Sequence, residues 1–160
     1  MLRLAAIVVV ASVPIVAAAS AAEVSDKIDI KATPDKTWAA IGAFCDINKW
    51  HPAVASCELT SNAGKKIRTL TTKDGAKIVE QELARDDSGR SYSYAILESP
   101  LPVADYKSTI KVEPGASGGS SVVWSSTFEP KGAPEEDAKK VISGIYVSGL
   151  DNLKVNIEGK

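Results

Sequence analysis

The sequence predicts an α+β domain in which an antiparallel sheet is laid against one long C-terminal helix. Three observations carry this expectation. One strand-like segment and two short helical segments precede an unbroken series of strand-like runs, and helix returns only at the end. The runs are short and divided by turn chemistry, which is the pattern of a meander. In the last segment Ala138, Val141, Ile142, Ile145, Gly149, Leu153 and Ile157 recur at three- and four-residue spacing, giving one stripe on a long helix.

Taken in order, Val24 to Lys31 alternates apolar and polar residues and reads as a strand. Thr33-Pro34-Asp35 supplies an N-cap with proline at the first helical position, opening a helix through Trp38 and Ile41 and, at its furthest, Phe44. A second short helix runs from Asp46 to Trp50 and stops there, since Pro52 disfavours helical geometry at His51. Strand-like runs follow over Ala55–Thr60, Lys66–Thr72, Lys77–Arg85, Ser91–Glu98, Tyr106–Glu113 and Ser121–Glu129. Lys73-Asp74-Gly75 between two of them is a compact hairpin signal. Glu135-Glu136-Asp137 then places acids in the first turn of the terminal helix, where the helix dipole favours them.

The chain begins with Arg3, an uncharged apolar run from Leu4 to Val16 and small residues through Ala22, the plan of a secretory signal peptide. The run is shorter than the roughly 20 apolar residues a membrane span requires. Cleavage after Ala22 or Ala21 leaves a single domain over residues 23–160, large enough to bury a core, and an exported, periplasmic protein with no membrane span. Without Arg3 the chain holds 18 basic against 20 acidic residues and no basic block, so nucleic acid is not an expected partner.

Phe44 to Cys57 concentrates the chemistry: it holds the only histidine, His51, both cysteines, Cys45 and Cys57, and the aromatics Phe44 and Trp50. In an oxidising compartment an even cysteine count fits one bridge between Cys45 and Cys57, the alternative being two buried thiols. No metal site is expected, because one imidazole and two sulfurs without paired spacing do not make a ligand set. No Ser-His-Asp arrangement and no phosphate loop is present, which argues against hydrolase and nucleotide chemistry, and no cofactor is implied.

The element order, with Trp50-His51-Pro52, Glu80, Asp86-Asp87, Tyr92-Ser93-Tyr94, Tyr106 and Trp124, resembles the polyketide cyclase/dehydrase-type branch of the SRPBCC (START-like, Bet v1-like) superfamily. Exported small members of this kind are similar to the MxaD-like proteins of bacterial methanol oxidation, which introduces a periplasmic oxidoreductase as a partner class. The resemblance implies a helix-grip fold, with a curved seven-stranded antiparallel sheet wrapped around the long C-terminal helix and a cavity between them. Plant abscisic acid receptors share this fold, and the resemblance places His51 where those receptors put a lysine that anchors the ligand. It also implies a cavity-facing acid at Glu80, and Tyr94, Ile96 and Tyr106 as lining residues. Lys73 to Lys77 lacks the receptors' Ser-Gly-Leu-Pro gate, so gating is not carried over, whereas Pro100-Leu101-Pro102-Val103 fits an apolar lip.

Strand alternation independently puts Tyr92, Tyr94 and Ile96 on one face, and Tyr106 with Ser108 and Ile110 on one face of the next strand. The candidate ligand-binding set is therefore Trp50, His51, Glu80, Tyr92, Tyr94, Ile96, Tyr106, Trp124, Ile142 and Tyr146. With both side chains inward, His51 and Glu80 would be the only ionisable pair of the cavity. The expected function is binding of a small hydrophobic or amphipathic molecule. Two alternatives stand beside it: a cyclase, dehydrase or isomerase with His51 or Glu80 as general base, and an accessory module of a periplasmic oxidoreductase.

Overall fold

The computed structural model describes residues 21–159. The leader read over residues 1–22 lies, as far as residue 20, outside them. Strand β1 (Ala22–Ile30) starts two residues earlier than alternation indicated, because Ala22 is buried and pairs with Phe128. Helix α1 (Pro34–Ile41) opens as expected, with the Thr33 hydroxyl accepting from the Lys36 N–H. It does not reach Phe44. Gly42 adopts φ 70° and returns its N–H to the Trp38 carbonyl, a left-handed C-cap that favours glycine.

A single helical turn, α2 (Ile47–Trp50), follows and ends at extended His51. The chain then runs through β2 (Val54–Asn62), β3 (Lys65–Thr72), β4 (Lys77–Asp86), β5 (Ser91–Glu98), β6 (Val103–Pro114), a 3-10 turn at Ala116–Gly118, and β7 (Ser120–Pro130). Helix α3 (Glu135–Glu158) closes the fold. Every neighbouring strand pair is antiparallel, in the order β1-β7-β6-β5-β4-β3-β2, so the sheet is a seven-stranded meander whose first strand joins the last. This curved sheet with its C-terminal helix is the helix-grip fold.

The core lies between the sheet's inner face and the helices. Val122, Ile110 and Phe128 from the sheet meet Ile142, Leu150 and Leu153 of α3, all at most 2% exposed. Large fully buried side chains of this kind contribute roughly 1.5–3 kcal/mol each relative to exposure. Val141, assigned to the apolar stripe, is instead 42% exposed, so the stripe is narrower than the sequence suggested. Two irregularities steer side chains. In β4 the register shifts between Glu82 and Ala84, and in β6 between Ala104 and Lys107, where Asp105 takes φ 49°. The second bulge lets Val103 and Tyr106, three residues apart, both face inward.

The Cys45–Cys57 disulfide ties the segment before α2 to edge strand β2, with Cα atoms 5.6 Å apart. Closing a loop of this size contributes about 3 kcal/mol in the chain-entropy picture.

Candidate functional site

Between the inner face of the sheet and α3 lies a cavity of about 180 Å3. Its sheet wall is Leu70, Thr72, Ile78 and Glu80 from β3 and β4, with Tyr94, Ile96, Tyr106 and Trp124 from β5, β6 and β7. Helix α3 supplies Ile142, Ile145 and Tyr146, and α2 with the turn after it supplies Ile47, His51, Ala53 and Val54. Asp74 and Ala76 of one hairpin and Pro100 and Leu101 of the facing loop complete it. The exposed members of this set, Ala53, Asp74 and Pro100, mark its mouth.

Glu80 stands on the inner face but is not paired with His51, as the sequence reading had it. Its partner is Arg68, directly across the β3–β4 ladder, with Nε 2.5 Å from Oε2. Arg68 is wholly buried, lies 4.0 Å from the Phe44 ring centroid and 5.0 Å from that of Tyr94, and donates through Nη1 to the Phe44 carbonyl. Aromatic faces attract a cation, and here two of them and a carboxylate share one guanidinium. Burial pushes the Glu80 carboxyl up and the nearby guanidinium pulls it back; burial pulls Arg68 down, but the Glu80 carboxylate and the ring hydroxyls beside it leave it further above its already high value.

His51 is 5% exposed and both its ring nitrogens are engaged by backbone. Nδ1 accepts from the Ala53 N–H at 3.2 Å, so Nε2 carries the proton and donates to the Ile145 carbonyl at 3.0 Å. Burial pushes its pKa below the usual imidazole value, which keeps the ring neutral. The ring fits against α3 because residue 149 is glycine: a Cβ there would lie 2.6 Å from His51 Cδ2 and 2.9 Å from Trp124 Cζ3.

Hydroxyls gather near Trp124, whose indole stacks on Tyr146 with centroids 4.4 Å apart. The Trp124 N–H donates to the Tyr94 hydroxyl at 3.0 Å and to Ser108 Oγ at 3.1 Å. Tyr106 and Tyr146 share a short hydroxyl pair, and Ser108 reaches Tyr146 at 3.2 Å. Burial raises Tyr94 and Tyr106 well above the ordinary phenol value and pushes Tyr146 up to about 12, so all three remain neutral.

Eight of the ten candidate residues therefore meet at one cavity: His51, Glu80, Tyr94, Ile96, Tyr106, Trp124, Ile142 and Tyr146. Trp50 and Tyr92 do not line it. Trp50 sits edge-on behind Trp124 and donates to the Ile41 carbonyl, and Tyr92 is enclosed by Trp38 and Phe44. Arg68 was missed, although counting outward from the Asp74-Gly75 turn places it opposite Glu80. Among the described residues no cluster of acids, His and Cys could hold a metal ion, and no helix is long and apolar enough to cross a membrane.

Comparison with known proteins agrees with this geometry. Residues 21–158 match the family model described as polyketide cyclase / dehydrase and lipid transport. The protein XoxI from Bacillus cereus superimposes with a TM-score of 0.82 at 34% identity, over 86% of this chain and 96% of that one. An uncharacterised protein from Bacillus thuringiensis gives 0.80 at 34% identity, over 85% and 98%. The Zhui aromatase/cyclase from a Streptomyces species shares the fold, with a TM-score of 0.70 at 13% identity over 87% and 94%. A search of curated proteins found no match.

Proposed function

Because the chain belongs to the polyketide cyclase, dehydrase and lipid transport family and folds around a mainly apolar hollow, we propose that it is an exported binding protein that holds a small hydrophobic or amphipathic molecule between the sheet and α3. The carrying observation is the state of the two candidate bases. A general base needs a free lone pair within reach of a substrate proton. Both His51 nitrogens are occupied by backbone, and one of the two Glu80 oxygens is held by the Arg68 cation, so that of the two candidates only Glu80 Oε1 is left to face a guest. The three phenols are too weakly acidic to serve as bases. What remains is a walled space with few reactive groups, which suits retention better than turnover.

The Cys45–Cys57 bridge fits an oxidising compartment and supports export. Native mass spectrometry of protein purified from the periplasm tests both parts. Expected are a leaderless, oxidised chain and a bound small molecule that is lost on denaturation and absent from an Ile142→Trp variant, whose indole fills the cavity. A chain that retains its leader would remove the export reading. Binding would be overturned by ligand-free protein whose melting temperature is unmoved by any member of a panel of small apolar compounds.

A further inference from the structure

We propose that the guest is a neutral alcohol or phenol built on a single ring, held through its hydroxyl by Glu80; this rests on the binding reading above and narrows it. Size comes first. At about 180 Å3 the cavity is little larger than the roughly 150 Å3 apolar cavity that accepts benzene, and it falls below the roughly 300 Å3 at which sites for drug-sized ligands begin. One ring with a short substituent fits; fused polycycles and long acyl chains do not.

Chemistry narrows it further. Only Oε2 of Glu80 is engaged by Arg68, while Oε1 receives no hydrogen bond among the described residues and is not one of the sealed, unpartnered atoms. Burial raises the Glu80 carboxyl, while the permanent Arg68 cation beside it favours the ionised form, in which the free oxygen accepts a hydrogen bond. Arg68 has no exposed surface and does not line the cavity, so its unpartnered Nη2 is out of a ligand's reach. A ligand carboxylate would therefore meet like charge with no free cation to offset it, and a carbonyl would bring no proton. A hydroxyl donates to Oε1. The Tyr94 hydroxyl, which accepts from Trp124 and has no acceptor for its own proton among the described residues, supplies the complementary donor. An O–H group answers both with one atom, donating to Oε1 and accepting from Tyr94.

The test is an NMR titration of the oxidised exported protein with benzyl alcohol, toluene and benzoate, which differ in the substituent on one ring. Benzyl alcohol is expected to shift resonances of Tyr94, Ile142 and Tyr146 and to bind about tenfold or more tighter than toluene, the range of one charge-assisted hydrogen bond. Benzoate is expected not to bind. In Glu80→Gln the preference for benzyl alcohol over toluene should shrink; should that variant fail to fold, the wild-type panel decides alone. Toluene binding as tightly as benzyl alcohol, or benzoate binding at all, overturns the hydroxyl assignment and leaves the binding reading intact. A long-chain or polycyclic molecule recovered with the protein, with no single-ring compound bound, overturns the size argument in the same way. No small molecule bound under any condition overturns both.

Discussion

Replacing Arg68 by methionine removes a buried cation and leaves Glu80 facing the core alone. Methionine keeps much of the aliphatic volume between Phe44 and Tyr94 but none of the charge, the Nη1 bond to Phe44 or the attraction to the two rings. The side chains of Arg68 and Glu80 are 0% and 6% exposed, so solvent does little to compensate. Breaking such a pair costs about 3–5 kcal/mol, because the surviving charge is stranded. For a domain of this length that corresponds to a melting temperature lowered by roughly 10 °C. Glu80→Leu should cost a comparable amount by stranding Arg68. The double variant should cost no more than about 2 kcal/mol, since no charge is left buried and only the Phe44 carbonyl loses its donor. Urea unfolding of all four proteins gives a coupling energy, expected at about 3 kcal/mol or more. If the two single costs add to the double within about 0.5 kcal/mol, the pair is not the unit described here.

Further perturbations address other parts of the same wall. Gly149→Ala gains helix propensity of about 1 kcal/mol but drives a methyl into His51 and Trp124, so a net loss of about 1–3 kcal/mol and altered tryptophan fluorescence are expected; unchanged stability would contradict the close approach. His51 has a folded pKa below its unfolded value of 6.5, so the unfolded chain takes up the proton first, and stability should fall as pH drops below about 6.5 with a limiting slope of 1.36 kcal/mol per pH unit. Glu80, held high by burial, acts with opposite sign as pH falls toward 4.5, and comparing slopes with His51→Gln between pH 7 and 5.5 isolates the imidazole; equal slopes would refute its assignment. Removing both Cys45 and Cys57 as serines should cost about 3 kcal/mol in urea and make stability indifferent to dithiothreitol. A loss below about 1 kcal/mol would show that the bridge constrains little.

The element order was legible because turn chemistry is local. Asp74-Gly75 set one hairpin register, and Pro52 ended α2 where expected. Strand parity carried Tyr94, Tyr106 and Ser108 to the inner face. What parity cannot carry is position along a bent sheet, which is why Tyr92, inward like Tyr94, ends up under Phe44 and Trp38 and away from the cavity. It also fails at bulges: nothing in Ala104-Asp105 announces the extra residue that lets Val103 face inward together with Tyr106. Arg68 was hidden for a different reason. In β3, Ile67 and Leu70 lie on opposite parities, so either face could have been read as the inner one, and a basic residue is ordinarily assigned to water. The partnership that makes its burial tolerable is long-range and electrostatic, and becomes visible only when both strands are laid side by side.

Helix α3, a wall of the cavity, follows all seven strands in the chain, and β1 pairs with β7 only when Val24 meets Ser126, about a hundred residues downstream. Contacts so distant along the chain form slowly. Until β1 has paired with β7 and α3 has packed against the sheet there is no closed container, so capture of a guest waits on the slowest contacts of the fold.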